Sequence, residues 1–490
     1  MKFRYLARIR CLSWIWLLSF GVFVTWENGV FPQETDNAAA QKVTDAKSEV
    51  VATDDPAKRE EELKLMMLFA DTFDQIKRNF VHELSDRELM EAAIGGMLSK
   101  LDRYSNYIPP KQLEQFKTSV EAEFAGVGII VSTQNGALEV ISPIIGTPAH
   151  RAGMLAGDRI VEIDGQNTNG FSVDDAVKLV KGQIGTTVTL KVIQIGEEEA
   201  KSFELIRETI RVPTVLGFSR REDQAWNFFC DAEQKIGYLR ISAFGRNTAA
   251  DLRSALETLQ SQEFRALVLD LRGNPGGLLS SSIEISDLFI SAGTIVSTTG
   301  RNAPERLWEA HEPGTFKNFP MTILINRFSA SASEIVAACL QDHGRALVIG
   351  ERSWGKGSVQ NIIELEEGRS AIKLTTASYQ RPSGKNIHRF KDSSDDDDWG
   401  VQPNDGLEIS LSREDAAKVQ EYRKQLDILT VPNEDTPQNQ TGLIDPQLQR
   451  AIATILAKLA DRESSESADP PNQEPAEEGE TNTDDPASEK

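Results

Sequence analysis

The spacing of apolar residues changes several times along this chain, and each change marks a different kind of structure. From Glu60 to about Phe116 apolar residues such as Leu63, Met66, Met67, Phe69 and Ala70 recur at helical spacing, which predicts a helical subdomain over 60–117. Tyr107-Ile108-Pro109-Pro110 interrupts it near its end. Over 118–213 the pattern turns to short strands punctuated by glycine. Examples are Gly126 to Val131, Ala137 to Ile141 after a Gln134-Asn135-Gly136 turn, and Val188 to Ile193, with a helix expected over Ser172 to Val180. From 214 strands and helices alternate. Ile236–Ile241, Ala266–Leu271, Met321–Ile325 and Ala346–Ile349 read as strands, and Thr248–Gln260, Ser281–Ile290 and Ser331–Gln341 as helices. A further helix starts at Asp445-Pro446 and carries Leu448, Ile452, Ile455, Leu456 and Leu459, closing an α/β core at about 460. Residues 461–490 are acidic and Pro-containing, the composition of a disordered tail.

The N-terminus adds an address. Lys2, Arg4, Arg8 and Arg10 precede an apolar run from Cys11 to Trp26, the layout of an export signal over 1–26 and shorter than a typical spanning helix. No good small-residue cleavage site follows, so the segment reads either as a cleaved signal or as a retained membrane anchor, with a polar linker over 27–59. Export to the periplasm or cell envelope is the expectation. A net charge of −22 argues against a nucleic-acid partner, which needs a basic face. The acidic run Asp395–Asp398 reads as a solvated segment rather than a site. Cys230 and Cys339 have no ligand-like spacing, so core packing is expected of both, and no metal site or cofactor is called for.

The ordered blocks over 118–213 closely resemble a PDZ domain. Gly126-Val127-Gly128-Ile129 stands where that family places its carboxylate-binding loop, followed by Pro148 to Gly153 and Gly157 to Gly165. Backbone N–H groups exposed at glycines can take a chain-terminal carboxylate, and an extended peptide then adds to the sheet edge. The resemblance therefore implies polypeptide partners with exposed C-termini.

Candidate chemistry lies in Asn326-Arg327-Phe328-Ser329-Ala330-Ser331-Ala332-Ser333-Glu334, between an apolar strand and a helix. Ser331 and Glu334 have capping-box spacing, so taken alone Ser331 reads as an N-cap. The same position also puts a hydroxyl beside free N–H groups and the positive end of a helix dipole, where an oxyanion is stabilised. A nucleophilic serine needs a base, and none of the five histidines lies in a recognisable catalytic setting. A lysine serves if burial keeps it neutral. Lys356, flanked by Gly355 and Gly357 after the strand Leu347-Val348-Ile349, is the candidate, although an isolated loop lysine is ordinarily exposed. Gly350-x-x-x-x-Gly355-Lys356 begins like a phosphate loop, but Gly357 stands where the magnesium-binding Ser or Thr belongs.

Three blocks together are more specific. Asp270 to Gly277, Ser329 to Asp342 and Gly355 to Gln360, with Tyr379 to Gly384 downstream, resemble the carboxy-terminal processing peptidases. The resemblance covers roughly 60–460 and implies a multidomain α/β chain: a crotonase-like α/β peptidase core with an inserted PDZ domain and an N-terminal helical subdomain. It further implies a serine endopeptidase acting on exported proteins near their C-termini, with Ser331 as nucleophile, Lys356 as base and Gln360 orienting the lysine. The N–H of Ala332 and that of Gly276 or Gly277 would form the oxyanion hole, and Asp342 matches a family acid that supports structure. Cys339, Trp354 and Lys181 depart from the expected residues. A catalytically inactive PDZ scaffold is the alternative, disfavoured because Ser331, Lys356, Gln360 and the glycine pair are all present.

Overall fold

The computed structural model describes residues 56–113, 116, 123–134, 136–302, 304–428 and 445–468. The expected signal over 1–26 lies outside them, as do most of the linker and of the acidic tail. No helix among the described residues is long and apolar enough to cross a membrane.

The first helix, Pro56–Asn79, begins inside the segment expected as linker, and its Leu63, Met66 and Met67 remain exposed. The second, Asp86–Leu98, starts with a reciprocal capping box between Ser85 and Glu88. Beyond it the helical pattern ends for a local reason. Pro109 biases Ile108 toward extended backbone, and Asn106–Ile108 forms a strand antiparallel to Ser370–Gln380. The N-terminal region is therefore stitched into the core sheet system rather than standing apart.

The segment expected as a PDZ domain is a sheet in the order Ile129–Gln134, Ala137–Pro143, Arg159–Ile163, Thr187–Ile193, Ala200–Ile206, with the helix Val173–Val180 capped by Ser172. Its core gathers Val127, Leu138, Val140, Ile160, Ile163, Leu190 and Val192. Strand alternation explains the set, since every second residue of Ala137–Pro143 and Thr187–Ile193 is buried.

In the α/β core Ile236–Ile241, Ala266–Asp270, Met321–Ile325 and Leu347–Gly350 run parallel. Both faces of this sheet are covered, as parallel sheets require. Leu267, Leu269, Ile323 and Ile325 pack on one side with the helices Thr248–Ser261, Leu279–Asp287 and Ala332–Asp342. Ala266, Val268 and Leu324 pack on the other against Ala451, Ile455 and Leu459 of the helix Pro446–Ala468. That helix runs past residue 460, so the first residues of the expected tail are helical. The polar helix Arg413–Asp427 was not anticipated from apolar spacing. A second sheet holds Asn106–Ile108, Ser370–Gln380, Thr294–Thr299 and Arg306–Glu309, with Ser358–Leu365 paired to Ser370–Gln380. Cys339 is buried and Cys230 half-buried, both as free thiols, and burial pushes each up to about 12.

Candidate active site

Three loops leave the carboxyl ends of neighbouring parallel strands: 271–278 after Ala266–Asp270, 326–331 after Met321–Ile325, and 351–357 after Leu347–Gly350. Open α/β sheets present functional groups at this edge. Gly276, Gly277, Ser331 and Lys356 lie on these loops.

Ser331 stands at the N-cap of the helix Ala332–Asp342, whose residues from Ala332 to Leu340 are all buried. Its backbone has φ 57° and ψ −115°, a sparsely populated conformation for a side chain-bearing residue. Such a backbone costs about 1–3 kcal/mol and persists where surrounding contacts fix it. Here they do. The Ala330 N–H and the Ser333 hydroxyl both donate to the Asn274 carbonyl at 3.0 Å. Gly276 lies directly against the serine: with φ 102° it has a backbone that favours glycine, and a Cβ there would sit 2.7 Å from both the Ala330 oxygen and the Ser331 Cβ.

Glu334, fully buried one turn into the helix, does more than complete half a capping box. Its Oε2 accepts the N–H of Ser331 and the N–H of Lys356, each at 2.8 Å. Its Oε1 accepts the Gly355 N–H at 2.6 Å and the Ser353 hydroxyl at 2.5 Å. One carboxylate oxygen thus joins the backbones of the two candidate catalytic residues. Burial raises the Glu334 carboxyl above its ordinary range, against the pull of these four donors.

Lys356 is completely buried. Burial drives its amine well below the ordinary lysine range; the charge of Lys373 pushes the same way and Glu334 opposes. The Tyr104 ring covers it, with Nζ 5.4 Å from the ring centroid, and the Tyr104 hydroxyl accepts the Trp354 indole N–H at 3.3 Å. Gly355, φ 85°, is required by close approach, since a Cβ would lie 2.7 Å from that of Arg389. Gln360 donates through Nε2 to Ser358 Oγ at 2.8 Å and Thr375 Oγ1 at 3.2 Å, and its buried Oε1 accepts no hydrogen bond among the described residues.

The glycine pair differs in its amides. The Gly276 N–H donates to Asn274 Oδ1 at 2.8 Å, while Gly277 pairs alongside Phe244 in an isolated bridge. Asp342 stands at the opposite end of the serine helix, where its carboxylate receives Arg381 and the Ser383 N–H. The PDZ residues are built into a different sheet. Gly126 ends a short ribbon with Glu208–Arg211, Val127 and Gly128 carbonyls accept from Ala149 and Ile144, and Ile129 opens an edge strand.

Several neighbours went unnoticed in the sequence. Asn274 falls within the block Asp270 to Gly277 with no role of its own legible there, though its buried side chain and carbonyl organise the serine loop. Tyr104 sits in an irregular turn without periodicity, and Lys373 lies mid-strand, where a lysine ordinarily faces water.

The profile of peptidase family S41 matches residues 235–404, a PDZ domain profile matches 139–194, and the activating protease CtpB N-terminal domain matches 23–111. The carboxyl-terminal-processing protease of Synechocystis sp. is 33% identical over 354 residues, covering 71% of this chain and 78% of that protein. A solved structure of a photosystem II D1 C-terminal processing protease is 27% identical, covers 70% of this chain and 92% of its own, and has a TM-score of 0.39. The carboxy-terminal-processing protease of Bartonella bacilliformis is 40% identical over 329 residues, 66% of this chain and 73% of that protein. The chain belongs to the carboxy-terminal processing proteases, serine-type peptidases of family S41 that carry a PDZ domain.

Proposed function

We propose that Ser331 is the nucleophile and Lys356 its general base in an endopeptidase that cleaves exported polypeptides near their C-termini. The reading is carried by one observation: a single Glu334 oxygen holds the backbones of both residues, while burial holds the Lys356 amine toward its neutral form. Neutral Lys356 takes the Ser331 proton, the alkoxide attacks a peptide carbonyl, the leaving amine departs with a proton, and water hydrolyses the acyl-enzyme. The Ala332 and Gly277 amides are the proposed oxyanion donors, since that of Gly276 is engaged by Asn274. Gln360 Oε1 is the acceptor proposed to orient the lysine, and Asp342 with Arg381 supports the helix end. The edge strand Ile129–Gln134 and the Gly126–Ile129 loop would receive the substrate C-terminus by strand addition. The basic and apolar N-terminal stretch supports an exported enzyme, with or without a retained anchor.

Ser331→Ala and Lys356→Ala, assayed on an unstructured peptide with a tagged C-terminus, should each lose cleavage by about three orders of magnitude or more. Retained cleavage in either variant removes that residue's role. Activity should rise from acid toward alkaline pH, because only the neutral amine accepts a proton.

A further inference from the structure

This fold buries two lysines close to one another, and the mechanism above uses one. Lys373 lies in the middle of Ser370–Gln380, 1% exposed, with Asn106 paired on one side and Ile362 on the other. The turn Asp102–Ser105 reaches both segments. Its Tyr104 ring covers Lys356, and its Ser105 Oγ accepts the Thr375 N–H at 3.1 Å, two residues from Lys373. Asp102 folds the turn by accepting the N–H of Tyr104 at 2.7 Å and of Ser105 at 2.8 Å, and it is the acid whose charge acts on Lys373.

We propose that Lys373 is a positioning residue for Lys356: its ammonium, stabilised by Asp102 under the same turn, keeps the Lys356 amine neutral where the enzyme works. The inference rests on the Ser–Lys reading above. Two ammonium ions in one pocket of low dielectric repel, so the pocket holds one proton more readily than two. Asp102 decides which lysine holds it. Burial brings Lys373 down to about 8, with Asp102 opposing, so below that pH Lys373 is charged. Lys356 is the more deeply buried, and the charge on Lys373 disfavours a second proton there. Other charged and titratable groups also lie near the pair. Glu334 opposes from the serine helix, and the Arg103 guanidinium stacks over Tyr104 and Trp354 at 5.2 and 5.6 Å. His388 lies edge-on to Tyr104 and is itself held below its ordinary value by burial.

The test is the pH dependence of two rates: peptide cleavage, and covalent capture of Ser331 by a fluorophosphonate. In Lys373→Met the acid limb of both profiles should move up by roughly one pH unit, with about tenfold less activity at pH 7 and convergence on wild type in alkali. Lys373→Gln repeats the neutralisation should the methionine variant fail to fold. Lys373→Arg should keep the wild-type acid limb. A merely structural role would lower activity equally at all pH values and leave the limb in place. An unmoved limb in a folded neutral variant overturns the proposal, and so does an arginine profile displaced as far as the neutral one. Lys356→Ala, run beside them, separates the two levels. Full cleavage there removes the Ser–Lys mechanism itself, whereas an inactive Lys356→Ala with an unmoved Lys373→Met limb removes only the role of Lys373.

Discussion

Two clusters of buried charge in this molecule are built on opposite logic. In the first, Asp270 receives Arg272 and Arg423, Arg272 reaches Asp445 through two nitrogens at 2.9 Å, and the Tyr238 hydroxyl adds a hydrogen bond to Asp270 at 2.7 Å. Two cations meet two anions, and Gln447 takes a further donor from Arg272. In the second, two lysines share a pocket; Asp102 acts on Lys373, and Glu334, the carboxylate acting on Lys356, accepts its hydrogen bonds from neutral donors. The first cluster clamps the helices Arg413–Asp427 and Pro446–Ala468 onto the sheet just before the glycine loop. The second leaves an amine whose protonated form is disfavoured. Balanced buried charge holds elements together, whereas imbalance shifts proton affinities and is what acid–base chemistry needs.

The contrast is sharpest at Asp270. Burial opposes its ionisation, and Arg272 and Arg423 overcome that opposition, holding the carboxyl well below its ordinary value. Asp270→Asn leaves two guanidiniums facing a neutral amide and should destabilise the fold by about 3–5 kcal/mol, read as a lower urea midpoint. The sign with pH follows. A depressed carboxyl contributes its stability above the unfolded value of about 3.9 and loses it as pH falls below that, so the variant should lose less than wild type on acidification. Activity per folded molecule should stay within a few-fold. Loss of turnover at unchanged stability would merge the two clusters into one functional unit and break the comparison.

Glu334→Gln acts on the second cluster. An amide offers one oxygen to donors that now converge on two, and sets its NH2 against N–H groups of the serine and lysine loops. Displacing Ser331 and Lys356 relative to each other should reduce kcat by about 100-fold, and stability should fall by about 1–3 kcal/mol. Wild-type kcat with only a lowered melting temperature would show that Glu334 serves the fold alone.

Much of the first-rank geometry was legible in the chain because it is local. An apolar strand ending just before Asn326 and a helix opening at Ser331 specify a hydroxyl at a helix N-terminus, and Gly355-Lys356-Gly357 after Leu347-Val348-Ile349 specifies a lysine in a tight loop. Glu334 was visible as a capping residue through its spacing, but its bonds to Gly355 and Lys356 depend on a loop about twenty residues downstream, which periodicity does not encode. The Asp102–Ser105 turn meets Thr375 across a separation of 270 residues, so no local pattern could place it over the amine. Lys373 was hidden by a sound default: a lysine in a strand marks the wet face, and here the turn makes that face dry. Chain-local rules thus find the groups that react, and long-range contacts find those that set their proton affinities.

The smallest effect expected is the most direct measure of that difference. Lys356→Met removes the amine and keeps the volume of its stem. In wild type the folded-state amine lies well below the ordinary lysine value of 10.5. Between those two values the unfolded chain carries a proton that the native chain has released. Wild-type stability is therefore full above about pH 10.5, and it declines as pH falls toward the native value. Methionine cancels that decline. The variant should be inactive yet more stable than wild type at pH 7, by about 1 kcal/mol, and the gap in melting temperature should narrow as pH approaches 10. A methionine variant less stable than wild type by the same margin at both pH values would mean that the amine is stabilised in the native pocket, and Lys356 would then belong with the balanced cluster at Asp270.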